Sequence, residues 1–515
     1  MFEYLRMWRK TRDFTHSGNL FDTIYGILTW LLVQSFSCAV KFLDLFGLGL
    51  NKKWKPGEKL QILLMAYSGA RNTGAEVRVA ELIDQLNQVL GEENVELNMT
   101  TLNLADTREY FKNQRVNLLE MSYIFFWDVF KFVVNNHVVV LVEGSCWKEN
   151  FAPALLYYFA YSMGLAAKLG KASFCYGVDA GPMNKFNNFL SWALCRKMDM
   201  IITRSAEASD WVNKIHLKVD KLRVDTAWTL RTKPLEWGAL ELKKLGWDGS
   251  KPLLGLAMQN FFWWPVIPDF VKWIRGVKEY NYRMLYYYDY DEQDRQDYEK
   301  WKQAMAQTMD WAAGKYGVQP VLIAMEALDH DSCLEVQKLM KTKPLVVSCR
   351  EYVGVEIGSM LRNLTTLVTT RYHAMVLAMP GAVPFIGLSR DERIRGVMKE
   401  TGLYNDYYVD YKTPDLPGVL QGKVDRLLSH PEESKRVSQV IQENLPYYFA
   451  QMALLGLDVR SLLKKRFPEA KFKPLNEDNP MELAPFVPEE LKPATVKKFL
   501  ELKSRESAVI TRSTE

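Results

Sequence analysis

From Lys59 onward, short apolar runs alternate with longer stretches in which apolar residues recur every three to four positions. Residues 60–66, 138–142, 172–176, 200–203 and 222–224 have the length and apolar density of buried strands. Between several of them, 76–90 and 152–169 read as amphipathic helices. A second series runs through 253–258, 283–288, 321–325, 345–347, 366–369 and 384–388, with helical stretches at 294–316 and 333–339. Such alternation predicts parallel sheets with helices on both faces. Two series divided near 232–250 predict an α/β protein of two Rossmann-like domains facing a cleft. Ligands bind such sheets outside the carboxyl ends of their strands. The expected domains are 59–240 and 241–415, followed by helices over 416–467. An extended charged tail over 468–515 follows, with one short helix near 493–503.

The pattern breaks at the N-terminus. Residues 23–40 hold no charged side chain, and 42–50 carry only Asp44. Eighteen uncharged residues reach the length at which a membrane-spanning helix becomes feasible. Arg6, Arg9, Lys10 and Arg12 precede the run, and Lys52, Lys53, Lys55 and Lys59 follow it. Cations on both flanks give no orientation by the positive-inside rule and fit a segment lying in an anionic membrane surface. Residues 1–58 are thus expected to associate with a membrane through 20–50, on its cytoplasmic face. A buried helical hairpin and an export signal are the alternatives.

Charge sharpens this reading. Lys and Arg number 66 against 61 Asp and Glu, a net charge of +5 on 515 residues. Nine of those cations and five of those anions lie in the first 59 residues. The body is therefore almost neutral, which argues against a nucleic-acid-binding protein. Six cysteines without Cys-x-x-Cys spacing fit a reducing compartment, and no Cys/His spacing suggests a metal.

Two segments carry candidate chemistry. Tyr67-Ser-Gly69-Ala-Arg71-Asn72-Thr-Gly74-Ala-Glu76 follows the first strand and opens a helix. Its glycines allow a tight turn, and the helix start offers free N–H groups to an anion or a sugar hydroxyl. The alternative is a structural turn capped by Asn72. Near 371, Arg371 and His373 sit where a strand passes into a helix, ahead of Gly381 and Pro384. Arginine binds phosphate or carboxylate in a fork, and histidine moves protons near neutral pH. Of Asp329-His330-Asp331, only Asp329 is a site candidate, since consecutive side chains diverge. The aromatic runs 261–264 and 286–290 could stack sugar rings, but core or rim packing is the weightier reading.

Taken together, these pieces resemble the polysaccharide pyruvyl transferase family over roughly residues 60–410. Gly69-x-x-Asn72-x-Gly74-x-Glu76 is similar to its glycine turn, and Gly177-Val-Asp-Ala-Gly181-Pro182 to its Gly-x-Gly-Pro segment. Thr203-Arg204-Ser205, Asp225-Thr-Ala227 and 325–329 match further elements. Glu356, Arg371-Tyr-His373-Ala374 and Gly381-x-x-Pro384 resemble its most specific signature. The resemblance implies a GT-B-like fold and transfer of a pyruvyl group from phosphoenolpyruvate to a sugar as a ketal. It implies no metal, and no cofactor beyond phosphoenolpyruvate as co-substrate. His373 is then the candidate proton donor or phosphate contact, Arg371 the anion clamp, and Glu356 the group that orients His373 or the donor. Gly69, Asn72, Gly74, Glu76, Asp329 and Gly381 are the remaining substrate-binding candidates.

Three positions differ from the family pattern. Ala75 stands where members often have Asp, 142–145 where they often have glycines, and 253–260 lack an Arg. The expected function is thus a membrane-associated pyruvyl transferase acting on a cell-surface or lipid-linked glycan. The alternatives are a GT-B-like glycosyltransferase using a nucleotide sugar, with Arg371 facing its diphosphate, or a catalytically silent scaffold in polysaccharide assembly.

Overall fold

The computed structural model describes residues 20–149, 152–264, 266–268, 272, 274–276, 286–288 and 291–514. Arg6, Arg9, Lys10 and Arg12 lie outside them, as do 289 and 290 of the second aromatic run. In the N-terminal lobe, strands β1 (Leu60–Met65), β2 (Val95–Thr101), β3 (Asn117–Glu120), β4 (Val138–Leu141) and β5 (Ala172–Cys175) form a parallel sheet. Their order is 3-2-1-4-5. In the C-terminal lobe, β6 (Leu253–Ala257), β7 (Gln319–Ala324), β8 (Leu345–Ser348), β9 (Thr366–Thr369), β10 (Phe385–Ser389) and β11 (Tyr408–Asp410) form a second, in the order 8-7-6-9-10-11. Central strands are buried throughout, such as the Val-Val-Val-Leu of β4 beside β1 in the register Leu63↔Val139. Sheets covered on both faces demand such apolar strands.

Strand β2 departs from that rule and was not predicted. Its sequence VELNMTT is polar, yet Asn98, Thr100 and Thr101 are buried. Asn98 Nδ2 donates to Asn136 Oδ1 at 2.9 Å, and Thr100 Oγ1 accepts from Ala66 N at 2.9 Å. Their polar atoms are satisfied inside the lobe, which removes the penalty for burying them. The strand predicted at 222–224 is only a two-residue bridge, Lys221–Leu222 against Ile202–Thr203.

Helix α1 (Leu20–Leu45) carries the apolar run. Gly26, Thr29, Val33, Ser37 and Val40, at helical spacing, are buried. They face α4 (Pro153–Lys168) and α5 (Lys185–Cys195). Contact is close: a Cβ on Gly26 would lie 2.4 Å from Phe186, and one on Gly164 3.3 Å from Val33. The opposite face is exposed, and 46–50 form no second helix, so the expected hairpin alternative is not what the chain builds.

Helix α2 (Thr73–Leu90) follows the glycine turn, and α3 (Phe126–Val134) follows β3. The C-terminal lobe contributes α6 (Gly354–Leu361), α7 (Tyr372–Ala378) and α8 (Glu392–Glu400). Helix α9 (Pro431–Arg466) crosses from the C-terminal lobe back to the N-terminal one. There Tyr448 stacks on Trp228 at 3.8 Å, and Met452 O accepts from Gln85 Nε2 at 2.7 Å. The tail is less extended than expected. Helix α10 (Lys492–Thr514) packs on α9, and Glu506 holds Arg223 Nη1 at 2.5 Å.

Candidate functional site

Both sheets reverse their strand order beside their first strand, between β1 and β4 and between β6 and β9. A crevice opens at the carboxyl ends of such strands, and the two crevices face each other. The glycine turn after β1 forms one wall. Gly69 has φ +89°, and a Cβ there would lie 2.5 Å from Asn103 N. Only glycine meets both conditions without strain. Asn72 caps α2, its side chain accepting from Ala75 N at 3.1 Å. Glu76 is buried, and its Oε1 accepts from Gly69 N at 2.8 Å. Burial pushes the Glu76 carboxyl up to about 8.

This turn is joined to the opposite lobe. Thr73 N donates to Met325 O at 2.8 Å, and Ala327 N to Arg71 O at 3.1 Å. Arg71 Nη1 donates to Arg350 O at 2.8 Å. A Cβ on Gly74 would lie 1.9 Å from His373 Nδ1, so the imidazole rests directly on that glycine.

Beneath the crevice lies a buried charge network. Asp225 Oδ2 takes Arg204 Nη1 at 2.5 Å, Arg78 Nε at 3.4 Å and His373 Nε2 at 3.5 Å. Asp179 Oδ2 takes Arg204 Nη2 at 3.0 Å and Lys148 Nζ at 2.8 Å. Lys148 then reaches Glu392 of α8, across the lobes, at 2.7 Å. Burial alone raises a carboxylate, but Arg78, His373 and Arg204 hold Asp225 well below its usual range. For His373, burial outweighs the Asp225 charge and lowers the imidazole, which is therefore neutral at physiological pH.

Above the network lies a cavity of about 1260 Å³, including its open mouth. Its walls include Tyr67, Met121, Tyr123, Phe125, Leu155, Tyr158 and Trp264. The polar lining comes from Asn72, Ser122, Glu143, Ser145, Glu326, Arg371, His373 and Arg393. Glu143 follows β4. Its Oε1 accepts from Gly144 N at 2.7 Å, while Oε2 is buried with no hydrogen-bond partner among the described residues. A buried acceptor of this kind is costly unless something meets it.

The sequence candidates therefore divide. Asn72, Gly74, Arg371 and His373 line the cavity. Gly69 and Glu76 shape the turn from behind. Arg371 is not an open clamp: its Nε donates to Asp329 Oδ2 at 2.8 Å and its Nη2 to Glu326 Oε2 at 2.9 Å, with a second bond to Asp329. Asp329 is correspondingly the counter-ion of Arg371, a buried residue whose carboxyl burial pushes up to about 6. Glu356 does not orient His373. It caps its own helix, accepting from Val353 N at 3.0 Å, and Asp225 occupies the place beside the imidazole. Gly381 is a packing position, where a Cβ would lie 2.8 Å from Arg362 Cβ.

Arg78, Lys148, Glu143 and Arg393 were not singled out in the sequence. Arg393 sits on the cavity wall and pairs with Asp391 at 2.8 Å. Glu143 carried one signal, as an acid in a segment expected to be glycines. In the first aromatic run, Phe261 is core, packing on Trp301, whereas Trp264 reaches the cavity.

No protein-family model and no curated protein sequence matches the chain. Solved structures do. A putative UDP-N-acetylglucosamine 2-epimerase from Listeria monocytogenes has a TM-score of 0.50 at 11% identity, covering 81% of this chain and 98% of that one. S. aureus MnaA with UDP gives 0.51 at 12%, covering 81% and 99%. Anabaena HepE in complex with UDP-glucose gives 0.52 at 10%, covering 79% and 100%. Identities this low establish the fold, and the fold is of the GT-B kind: two Rossmann-like lobes across a cleft, here with an added N-terminal apolar helix.

Proposed function

We propose that this chain is a sugar-modifying transferase that works in the cleft between its lobes and takes a nucleotide sugar as donor. The cavity carries this reading. Its aromatic walls suit the flat faces of bases and sugar rings. The similar folds support the same direction, since two of those proteins were solved with UDP or UDP-glucose.

In this mechanism an acceptor hydroxyl attacks the anomeric carbon of the donor. Its proton passes to Glu143 Oε2, the anomeric carbon–phosphate oxygen bond breaks, and nucleoside diphosphate leaves. A positioned carboxylate serves as general base when its second oxygen is free to receive the proton. His373, neutral and fixed between Gly74 and Asp225, offers a hydrogen bond to substrate rather than a charge.

A second reading, pyruvyl transfer, is favoured by one observation. Arg204, Asp225, Glu326, Arg371 and His373, which lie in separate pieces of the family-like pattern, converge at one place. Thermal unfolding with a panel of UDP-sugars and with phosphoenolpyruvate separates the two, because a ligand bound only to the folded state stabilises it. The expected result is a rise in Tm with a UDP-sugar and none with phosphoenolpyruvate. The reverse replaces the first reading with the second. Silence toward every donor overturns both and leaves the scaffold.

A further inference from the structure

We infer that the outer face of α1, continued by Ile124 and Trp127, lies flat in the surface of an anionic bilayer. This sets the cavity mouth at headgroup level, where the acceptor is a saccharide carried on a membrane lipid. The acceptor half rests on the transferase reading above; the docking half does not.

Helix α1 is long and apolar enough to span a bilayer, but its packing argues against spanning. Its inner face is buried along α4 and α5, so the helix could enter a bilayer only by taking the lobe with it. Its outer face exposes Ile24, Ile27, Leu31, Phe42 and Leu45, and among the described side chains of the helix Lys41 is the only exposed charged one. One buried face and one exposed apolar face describe an interfacial helix.

The surface continues beyond α1. Phe36 packs edge-on to Trp127 at 6.0 Å and against Phe130 at 4.7 Å, which fixes α3 alongside. Trp127 is 57% exposed and Ile124 61%. Two chain segments remote in sequence therefore present one apolar surface, larger than the scattered apolar residues of ordinary surfaces. Charge selects its occupant. Lys41, Lys53, Lys55 and Lys59 are exposed on or just after α1, and the first 59 residues hold four of the chain's five excess positive charges. A second copy of this chain would bring the same cations into opposition, whereas anionic headgroups complement them.

Position joins this surface to the cleft. Ser122, Tyr123 and Phe125 line the cavity, and Ser122 is exposed at its edge. Ile124 lies among them and points outward. The turn is held, since Ser122 N and Oγ both donate to Asp128 Oδ2, at 2.9 and 2.8 Å. Tyr25 of α1 also packs on Phe125 at 6.3 Å, edge to face. The cavity wall and the docking surface are thus two sides of one aromatic cluster.

The test uses the full chain and vesicles of phosphatidylglycerol with phosphatidylcholine, or of phosphatidylcholine alone. Cys38 is exposed on the outer face, while the other five cysteines are buried, so a polarity-sensitive dye on Cys38 reports insertion. The expected result is flotation and a blue shift with phosphatidylglycerol, weakened by salt and released by alkaline carbonate. The pairs Leu31→Gln with Phe42→Gln, and Ile124→Ser with Trp127→Ser, should each lower the bound fraction at least tenfold at unchanged Tm. Failure to float, carbonate resistance, or normal binding by the Ile124/Trp127 pair overturns the docking. So does a dimer that these pairs dissociate while vesicle binding persists. For the acceptor, transfer to a polyprenyl-diphosphate-linked saccharide in the vesicles should exceed transfer to the same sugar as a soluble methyl glycoside by at least tenfold. Equal rates overturn the lipid-borne acceptor alone. Vesicle binding with no transfer to either overturns the transferase reading and leaves the docking.

Discussion

At the scale of single residues, Asp225 decides the charge state of the cleft floor. It faces two buried guanidinium groups and the half-buried His373 imidazole. Asp225→Asn removes that charge from cations that cannot reach water, and a loss of about 3–5 kcal/mol is expected in urea unfolding. Glu143→Gln differs, because no ion pair to Glu143 occurs among the described residues. It should leave donor-induced stabilisation intact and lower transfer at least about 100-fold in single-turnover assays. Glu81 tests burial alone. It is pushed up to about 8 by desolvation, although Thr229 Oγ1 donates to it at 2.7 Å. Between about 4.5 and 8 the folded chain keeps a proton there that the unfolded chain releases, so stability falls as pH rises through that window. Glu81→Gln cannot ionise. It should match the parent chain near pH 4.5 and exceed it near pH 8, as measured by urea midpoints at both. His373 and Asn72 were legible as site residues because strand-end turns announce themselves locally. The pairing of Arg371 was not, because its partners Glu326 and Asp329 arrive from the end of a different strand.

At the scale of elements, the glycine turn and α2 work as one piece. Gly74 is required by its neighbour, since a methyl group there meets His373. Gly74→Ala should cost about 1–3 kcal/mol and displace the imidazole. Gly422→Ala, where nothing lies within 4 Å, is the control and should be neutral or stabilising by up to about 1 kcal/mol. Calorimetry of both separates crowding from helix propensity. The strands read best in the sequence were those buried on both faces, β1, β4 and β6 among them. Strand β2 escaped because its buried polar residues find partners only in the folded lobe, such as Asn136 for Asn98. Helix α10 was foreshortened for a related reason. Its charged sequence reads as solvent-facing, yet Glu506 is spent on Arg223, 283 positions earlier.

At the scale of the whole molecule, two lobes were legible from the two series of strands, but their attachment was not. Backbone bonds from Thr73 to Met325 and from Ala327 to Arg71 tie one lobe to the other along the cleft floor. The Lys148–Glu392 pair and helix α9 add further ties. Ties of this kind oppose opening around a hinge, since these bonds would have to break together. X-ray scattering should therefore give the same radius of gyration with and without saturating donor. The consequence lies in traffic rather than in structure. On the transferase reading, donor, acceptor and spent product would all pass through the mouth of this cavity, so each would wait for the last to leave. Product inhibition should then act against both substrates, and the rate at which the doorway clears should set the pace of turnover.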